Sequence, residues 1–454
     1  MEVGMDLDLL RQRYVDETAA SARAFREAAG LIPGGVQGNI KYFDPHPLSF
    51  ASAEGSWLID ADGRRYVDFL LSFGALALGH GHEVVRRAIA EALEGYGTTS
   101  FGMPHELERV MARKISERFP SIATVRFTNS GLEATLLAIR IALAASGRTH
   151  IAKFDGHYHG GHDRVLVNTT GGRRPGGGDP VAHADSLGLA AYHLEHTVVL
   201  PFNDVESSSR ILKARSGEVG AVVVEPVQAG YIEPEPGFLN AVRALTSDLG
   251  MVLIFDEVKT GFRTALGGAQ EYYRVEPDLT ALGKILGGGL PIGAVGGRSD
   301  LMELCSPARS RNLADVVFHS GTFNGNPMSL ATGLATIGYL EGPGRFDELL
   351  AGTEALKRGI AASGRAHGFN VETPGAGTIF NVAVGLQDEG DARAFSPQFL
   401  RQCLDYSLMH YGVFSKPMNR FSMATSHRNA EIVQTLSAFD SAFSELAALV
   451  EGAR

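Results

Sequence analysis

The chain has 454 residues, which at about 150 per domain allows two or three domains and a large buried core. With 44% apolar and 20% charged residues it reads as a globular protein, not a disordered one, and a net charge of −10 argues against broad binding to nucleic acid or anionic membrane. Two distant cysteines, Cys305 and Cys403, exclude a disulfide framework or a zinc cluster and suit a reducing cytoplasm; no apolar run approaches the roughly 18 residues of a membrane span, and the acidic start Met1–Asp8 lacks the layout of a secretory signal.

Apolar residues at helical spacing from Leu10 to Ala28 predict an amphipathic helix over Leu9–Ala29, ended by Gly30 and Pro33-Gly34-Gly35. Alternating segments around Leu48–Ala51, Ser56–Asp60 and Arg65–Phe69, with Asp62-Gly63 between the last two, predict a small antiparallel meander. From about residue 105 short apolar runs alternate with helical stretches: Val125–Thr128, a helix over Leu132–Ala145, Ile151–Phe154, Val198–Pro201, Ala221–Glu225, Met251–Asp256 and Leu279–Leu282. That rhythm predicts a mainly parallel α/β sheet covered on both faces, with ligands at the carboxyl ends of its strands. The glycine-rich stretch Thr169–Thr197 interrupts it, as an active-site lid or a disordered insertion. After a long helix, strands over Thr373–Val384 and a helical end from Asn429 complete a smaller α+β domain. The expected division is 1–70 (helix and meander, part of the small domain), 71–330 (large domain) and 331–454 (C-terminal small domain).

The strand Val252–Asp256 delivers an acid at its carboxyl end, and 28 residues on another strand end carries Lys284 followed by Gly287-Gly288-Gly289. An acid and a lysine at strand ends face one crevice, and the glycines clear room beside the lysine for something flat. Phe127–Ala134 reads as strand, tight turn and helix start; its free N–H groups and the bare Gly131 suit a phosphate. Tyr158 follows the next strand and places a ring at the same edge. A phosphate cradle, an aromatic plate, an acid and a lysine together describe a site for pyridoxal 5′-phosphate, with Lys284 as the Schiff-base amine and Asp256 on the ring nitrogen. His157, His159 and His162 with Asp163 fit ring stacking better than metal binding, so no metal is expected.

Asn129-Ser130-Gly131-x-Glu133-Ala134, Tyr158-His159-Gly160, Asp256-Glu257-Val258-x-Thr260-Gly261-Phe262-Arg263, Gly283-Lys284 and Gly321-Thr322-Phe323-x-Gly325-Asn326-Pro327 resemble the class III pyridoxal-phosphate aminotransferases, and within them the glutamate-1-semialdehyde aminomutase branch. The resemblance covers nearly the whole chain and implies the fold type I architecture. It implies Lys284 as Schiff-base lysine and proton shuttle, and Asp256 on the ring nitrogen, with Val258 and Tyr158 on the two ring faces. It further implies Ser130, Gly131 and Leu132 at the phosphate, Glu225 and Gln228 near the ring, and Thr322 reaching the phosphate of a partner subunit in a homodimer. Leu132 stands where the family usually has threonine. Gly38-Asn39-Ile40-Lys41 stands where the aminomutase branch has Ser-Pro-Val-Arg, and Asn419, beside Arg420, where it has glutamate. Lysine cannot make arginine's bidentate fork, so Lys41, Asn419 and Arg420 become the substrate-side candidates. The expected activity is amino transfer between an amino acid or amine and a keto or aldehyde acceptor. The alternative is an aminomutase of the semialdehyde type, then a racemase or epimerase; a non-catalytic cofactor-binding partner protein is disfavoured by intact Lys284 and Asp256.

Overall fold

The computed structural model describes residues 2–171, 178–387 and 395–452, and divides into two units, Met1–Glu83 with Pro343–Arg454, and Val84–Gly342. In the first unit the expected N-terminal helix is two, Glu2–Glu17 and Ala19–Ala29. They break at Thr18, whose backbone leaves the helical region (φ −127°, ψ 40°) while its hydroxyl bonds back to the Tyr14 carbonyl at 2.5 Å. A threonine hydroxyl that competes for backbone partners is a known helix disruptor. The meander follows as β1 (Phe50–Glu54), β2 (Trp57–Asp60) and β3 (Arg65–Asp68), paired antiparallel. Asp60 fixes its turn by accepting the Asp62 and Arg64 N–H groups at 3.0 and 2.8 Å.

The chain then does something costly. Leu71, Ser72 and Phe73 have φ of 46°, 52° and 58°, and Gly74 follows at 86°. Left-handed backbone costs a non-glycine residue about 1–2 kcal/mol. The turn is held by the Asp68 carboxylate, which accepts the Leu70 and Leu71 N–H groups, and by Arg420, whose guanidinium donates to the Phe73 carbonyl at 3.1 Å. The first unit continues past 70 to Glu83 because Gly55 and His80 exchange both backbone hydrogen bonds and the His80 ring meets Asp68 at 2.7 Å.

The second unit carries a seven-stranded sheet: β4 (Thr124–Thr128), β5 (His150–Phe154), β6 (Thr197–Leu200), β7 (Val219–Val224), β8 (Val252–Asp256), β9 (Leu279–Gly283) and β10 (Gly293–Gly297), in the order β4-β10-β9-β8-β7-β5-β6. Only β10 runs against the others, so the sheet is mainly parallel. Alternate residues of each strand face opposite sides. Ile151, Ala221, Val223, Ile254 and Val295 pack with the helix Gly131–Ser146, whereas Phe154, Val222, Val224, Leu253 and Phe255 pack on the other face with the helix Phe238–Asp248. Both faces are dry, which is why the strands read as continuous apolar runs. The helix Pro327–Leu340 belongs to this unit because Thr332 and Ser329 donate to the Gly287 and Pro291 carbonyls at 2.7 and 2.8 Å, which carries the division beyond 330.

Of the stretch Thr169–Thr197, residues 172–177 lie outside the described residues; the rest is tied back where Asp185 accepts the Thr169 hydroxyl at 2.8 Å and Asn168 donates to Asp155 at 2.9 Å. The chain returns to the first unit through the helix Arg345–Ala366, β11 (Phe369–Glu372), β12 (Ile379–Phe380), β13 (Ala383–Leu386), the helix Pro397–His410, β14 (Val413–Phe414), β15 (Phe421–Ser422) and the helix Asn429–Gly452. There β14 adds to β3 in parallel and completes the meander sheet. No helix among the described residues is long and apolar enough to cross a membrane.

Candidate cofactor site

Two strand ends and one strand start converge in the second unit. Thr128 ends β4, Gly283 ends β9, and the reversed β10 begins at Gly293, paired with both. Ser130 caps the helix Gly131–Ser146, its hydroxyl accepting the Glu133 N–H at 3.2 Å, while the Glu133 carboxylate accepts the Asn129 N–H at 2.8 Å. The first-turn N–H groups of Gly131 and Leu132 have no partner within the helix and carry its positive dipole end. Bare backbone is required here. A Cβ on Gly131 would lie 2.7 Å from Val258 Cγ1, and one on Gly293 would lie 2.1 Å from the Ser130 carbonyl oxygen. These glycines make a cradle that a methyl group would fill.

Asp256 ends β8, next to β9, and is 5% exposed. One carboxylate oxygen accepts the Val258 N–H at 3.0 Å and the other meets His159 Nδ1 at 2.8 Å. Among the described residues the Nε2 of the buried His159 has no hydrogen-bond partner. Lys284 follows Gly283, half-buried, with φ +50°. A strained non-glycine backbone at a lysine is the kind of cost of order 1–3 kcal/mol that concentrates at functional sites.

Glu225 follows β7 and is buried, accepting the Tyr158 N–H at 2.8 Å and a hydrogen bond from the Lys259 ammonium. Burial alone would raise its carboxyl, but the Lys259 charge and then His157 and His159 pull it below the usual carboxylate range. The same ammonium lies 5.6 Å from the Tyr158 ring centroid, a cation–π contact. Burial, then the Asp256 and Glu225 charges, raise the Tyr158 phenol. His157 accepts the Glu225 N–H through Nδ1 at 3.0 Å, and burial lowers its ring well below the usual imidazole range. Gln228 reaches the Asp155 carbonyl at 3.4 Å, over Gly156, where a Cβ would lie 2.3 Å from its Nε2. Among the described residues no group of three or more His, Cys, Asp or Glu could hold a metal ion.

Ser130, Gly131, Leu132, Val258, Asp256 and Lys284 therefore share one sheet edge, and Tyr158, Glu225 and Gln228 join them through the network around Asp155–His159. Thr322 stands apart. It is exposed on a separate cavity of about 1160 Å³ in the same unit, lined among others by Phe101, His105, Phe127 and His319. Asn324, two residues on, accepts from the Asn129 side chain at 2.8 Å.

The three substrate-side candidates lie in the first unit. Lys41 lines a cavity of about 430 Å³. Asn419 and Arg420 do not: the Asn419 carbonyl accepts from Arg401 at 2.6 Å, its side chain accepts the Arg420 N–H at 2.9 Å, and Arg420 braces Phe73. Sequence reasoning missed His159 as the partner of Asp256, Lys259 as the partner of Glu225, and Lys416, which lines the same cavity as Lys41. Lys259 sits three residues beyond Asp256 in a motif already singled out, a signal that was available. Nothing near Lys416 in the chain marks it.

The class III aminotransferase profile matches residues 42–443. A glutamate-1-semialdehyde 2,1-aminomutase of Methanothermobacter thermautotrophicus is 39% identical over 94% of this chain and 99% of its own, and further curated relatives at 37–44% identity carry the same name. Among solved structures, an omega-transaminase from Sphaerobacter thermophilus superposes with a TM-score of 0.87 at 35% identity, covering 94% of this chain and 98% of its own. A β-phenylalanine aminotransferase from Variovorax paradoxus does so at 0.84 and 34%, covering 97% of each chain.

Proposed function

The chain belongs to the class III aminotransferase family and works with pyridoxal 5′-phosphate, and from that premise we propose that it moves an amino group from an amino acid or amine to a separate keto or aldehyde acceptor. The bound cofactor supplies an electron sink for the charge left when a proton leaves the substrate carbon. In this reading the Gly131 and Leu132 N–H groups and the Ser130 hydroxyl hold the phosphate. Asp256, oriented by His159, accepts a hydrogen bond from the protonated ring nitrogen. Tyr158 and Val258 would cover the two ring faces, with Gln228 beside the ring. Lys284 would be the lysine that holds the cofactor, and its Nζ would be the base that takes the proton from the substrate α-carbon. The family substrate-carboxylate arginine is Lys41 here, which supports transfer to a separate acceptor over the mutase reaction. Thr322 and the exposed Phe318 and Phe323 favour a homodimer in which a second copy completes the site, to be checked by light scattering. Two buried free cysteines agree with a cytoplasmic enzyme.

A specific observation favours a second reading. The curated relatives are named as aminomutases and exceed the two solved transaminases in identity, which supports the intramolecular reaction. The absorbance spectrum of the holoenzyme separates the two. Loss of the visible cofactor band on adding one amine donor without acceptor, with release of its keto product, is the expected result. Turnover of glutamate-1-semialdehyde alone, with no external donor able to bleach the band, would overturn it in favour of the mutase.

A further inference from the structure

Tyr158, read above as one plate for the cofactor ring, stands on a loop with little structure of its own. Residues 156–160 lie in no helix or strand, and Gly156 and Gly160 bound them at φ 80° and 102°, backbone that glycine enters freely. The Tyr158 ring is 44% exposed, and among the described residues no aromatic ring packs on it. One ammonium group holds both its backbone and its ring. Lys259 donates to one oxygen of the Glu225 carboxylate, and the other oxygen accepts the Tyr158 N–H at 2.8 Å. The same ammonium lies 5.6 Å from the Tyr158 ring centroid, and a lysine side chain only 12% exposed keeps that cation–π contact largely out of water. Lys259 directly follows Val258, whose N–H is fixed by Asp256 at the end of β8. A single side chain therefore joins the Tyr158 loop to the rigid end of a central strand.

We propose that Lys259 is a positioning residue that sets the slot for the cofactor ring, by tying Tyr158 on one side to the strand end that carries Val258 on the other. This rests on the reading under Proposed function that Tyr158 and Val258 take the two ring faces. Lys259 touches neither the ring nor the substrate; it acts through Glu225 and through the face of Tyr158. Its ammonium does two separable things. It neutralises a buried carboxylate, which is a matter of stability, and it orients an aromatic plate, which is a matter of cofactor binding.

The probe is pyridoxine 5′-phosphate, which has the ring and the phosphate but no aldehyde to react with Lys284, titrated by calorimetry into the full-length apoenzyme beside inorganic phosphate. The unmodified protein binds the ring compound at least about tenfold more tightly than phosphate. Lys259→Met weakens the ring compound by about tenfold and leaves phosphate within about twofold, while Lys259→Arg, which keeps a cation at the ring, retains most of the affinity. The double variant Lys259→Met with Glu225→Gln separates the two roles and still answers should Lys259→Met alone misfold. It recovers stability to denaturant, because no buried carboxylate is left uncompensated, yet its affinity for the ring compound stays low. The visible circular dichroism of its holoenzyme, which reports how the bound ring is seated, stays altered as well. Ring affinity that returns together with stability in the double variant overturns the proposal, as does an equal loss for phosphate or no loss in Lys259→Met. If the unmodified protein binds the ring compound no better than phosphate, the ring slot itself has failed and the proposal falls with it. A slot that prefers the ring but ignores Lys259 overturns the proposal alone. Bleaching of the cofactor band by an amine donor tests amino transfer independently of all these outcomes.

Discussion

At the sheet edge of the second unit the buried acids are answered from within the protein. Asp256 meets His159, Glu225 meets Lys259, and the buried Glu257 accepts from Thr260 and from the Ala269 and Gln270 N–H groups. In the first unit the cavity holds Lys41 and Lys416 with no carboxylate paired to either among the described residues. The contrast has a physical logic. A permanent cofactor is served by groups whose charge and orientation are fixed in advance, so no reorganisation is needed when it binds. A group that comes and goes is better served by charge left uncompensated, because neutralising it is then part of the binding energy.

Breaking the first arrangement has the larger expected effects. Lys284→Ala removes the group proposed to move the substrate proton and lowers turnover by about 10²–10⁴-fold or more. After borohydride treatment and denaturation, the cofactor no longer travels with the chain on gel filtration. Lys259→Met leaves the buried Glu225 carboxylate without its ammonium, and breaking such a pair costs about 3–5 kcal/mol. Denaturant unfolding measures the loss, and the double variant with Glu225→Gln recovers part of it. Gly131→Ala drives a methyl against Val258, an overpacking of about 1–3 kcal/mol. It lowers both the melting temperature and cofactor retention, and adding Val258→Ala restores part of each.

The smallest effect is a pH dependence in the first unit. Burial holds His427 at about 4, with its ring between the Ala424 N–H and the Asp68 carbonyl. Its folded value lies below the unfolded value of about 6.5, so the unfolded chain takes the proton first. Stability is full above about pH 6.5 and falls as pH drops toward about 4. His157 and His162, both lowered by burial, act with the same sign in the second unit. His427→Gln, which can keep both hydrogen bonds, flattens the slope of unfolding free energy between pH 6.5 and 4.5.

The parallel sheet was legible because strands dry on both faces must be apolar throughout, and Val252–Asp256 and Leu279–Gly283 show this within their own few residues. The positions of Asp256 and Lys284 were legible for the same reason, since the first ends such a strand and the second directly follows one. The break at Thr18 was not, because it depends on a hydroxyl turning back to the Tyr14 carbonyl inside an unbroken apolar pattern. The pairing of His159 with Asp256 spans 97 residues, and Lys41 and Lys416 come from opposite ends of the chain. Spacing along a sequence carries no information about such encounters; only the folded topology brings them together.

The reversed strand β10 also sets the order in which the protein can be assembled. β4 is the outermost strand of its sheet and β10 is its only neighbour there, although more than a hundred and sixty residues separate their starts. Closing so large a loop is entropically slow. The Ser130–Gly131 turn hangs from the end of β4, so the proposed phosphate cradle exists only after β10 has docked. A refolding chain therefore gains its cofactor affinity late, and cofactor present from the start of refolding traps the completed sheet without speeding the steps that precede it.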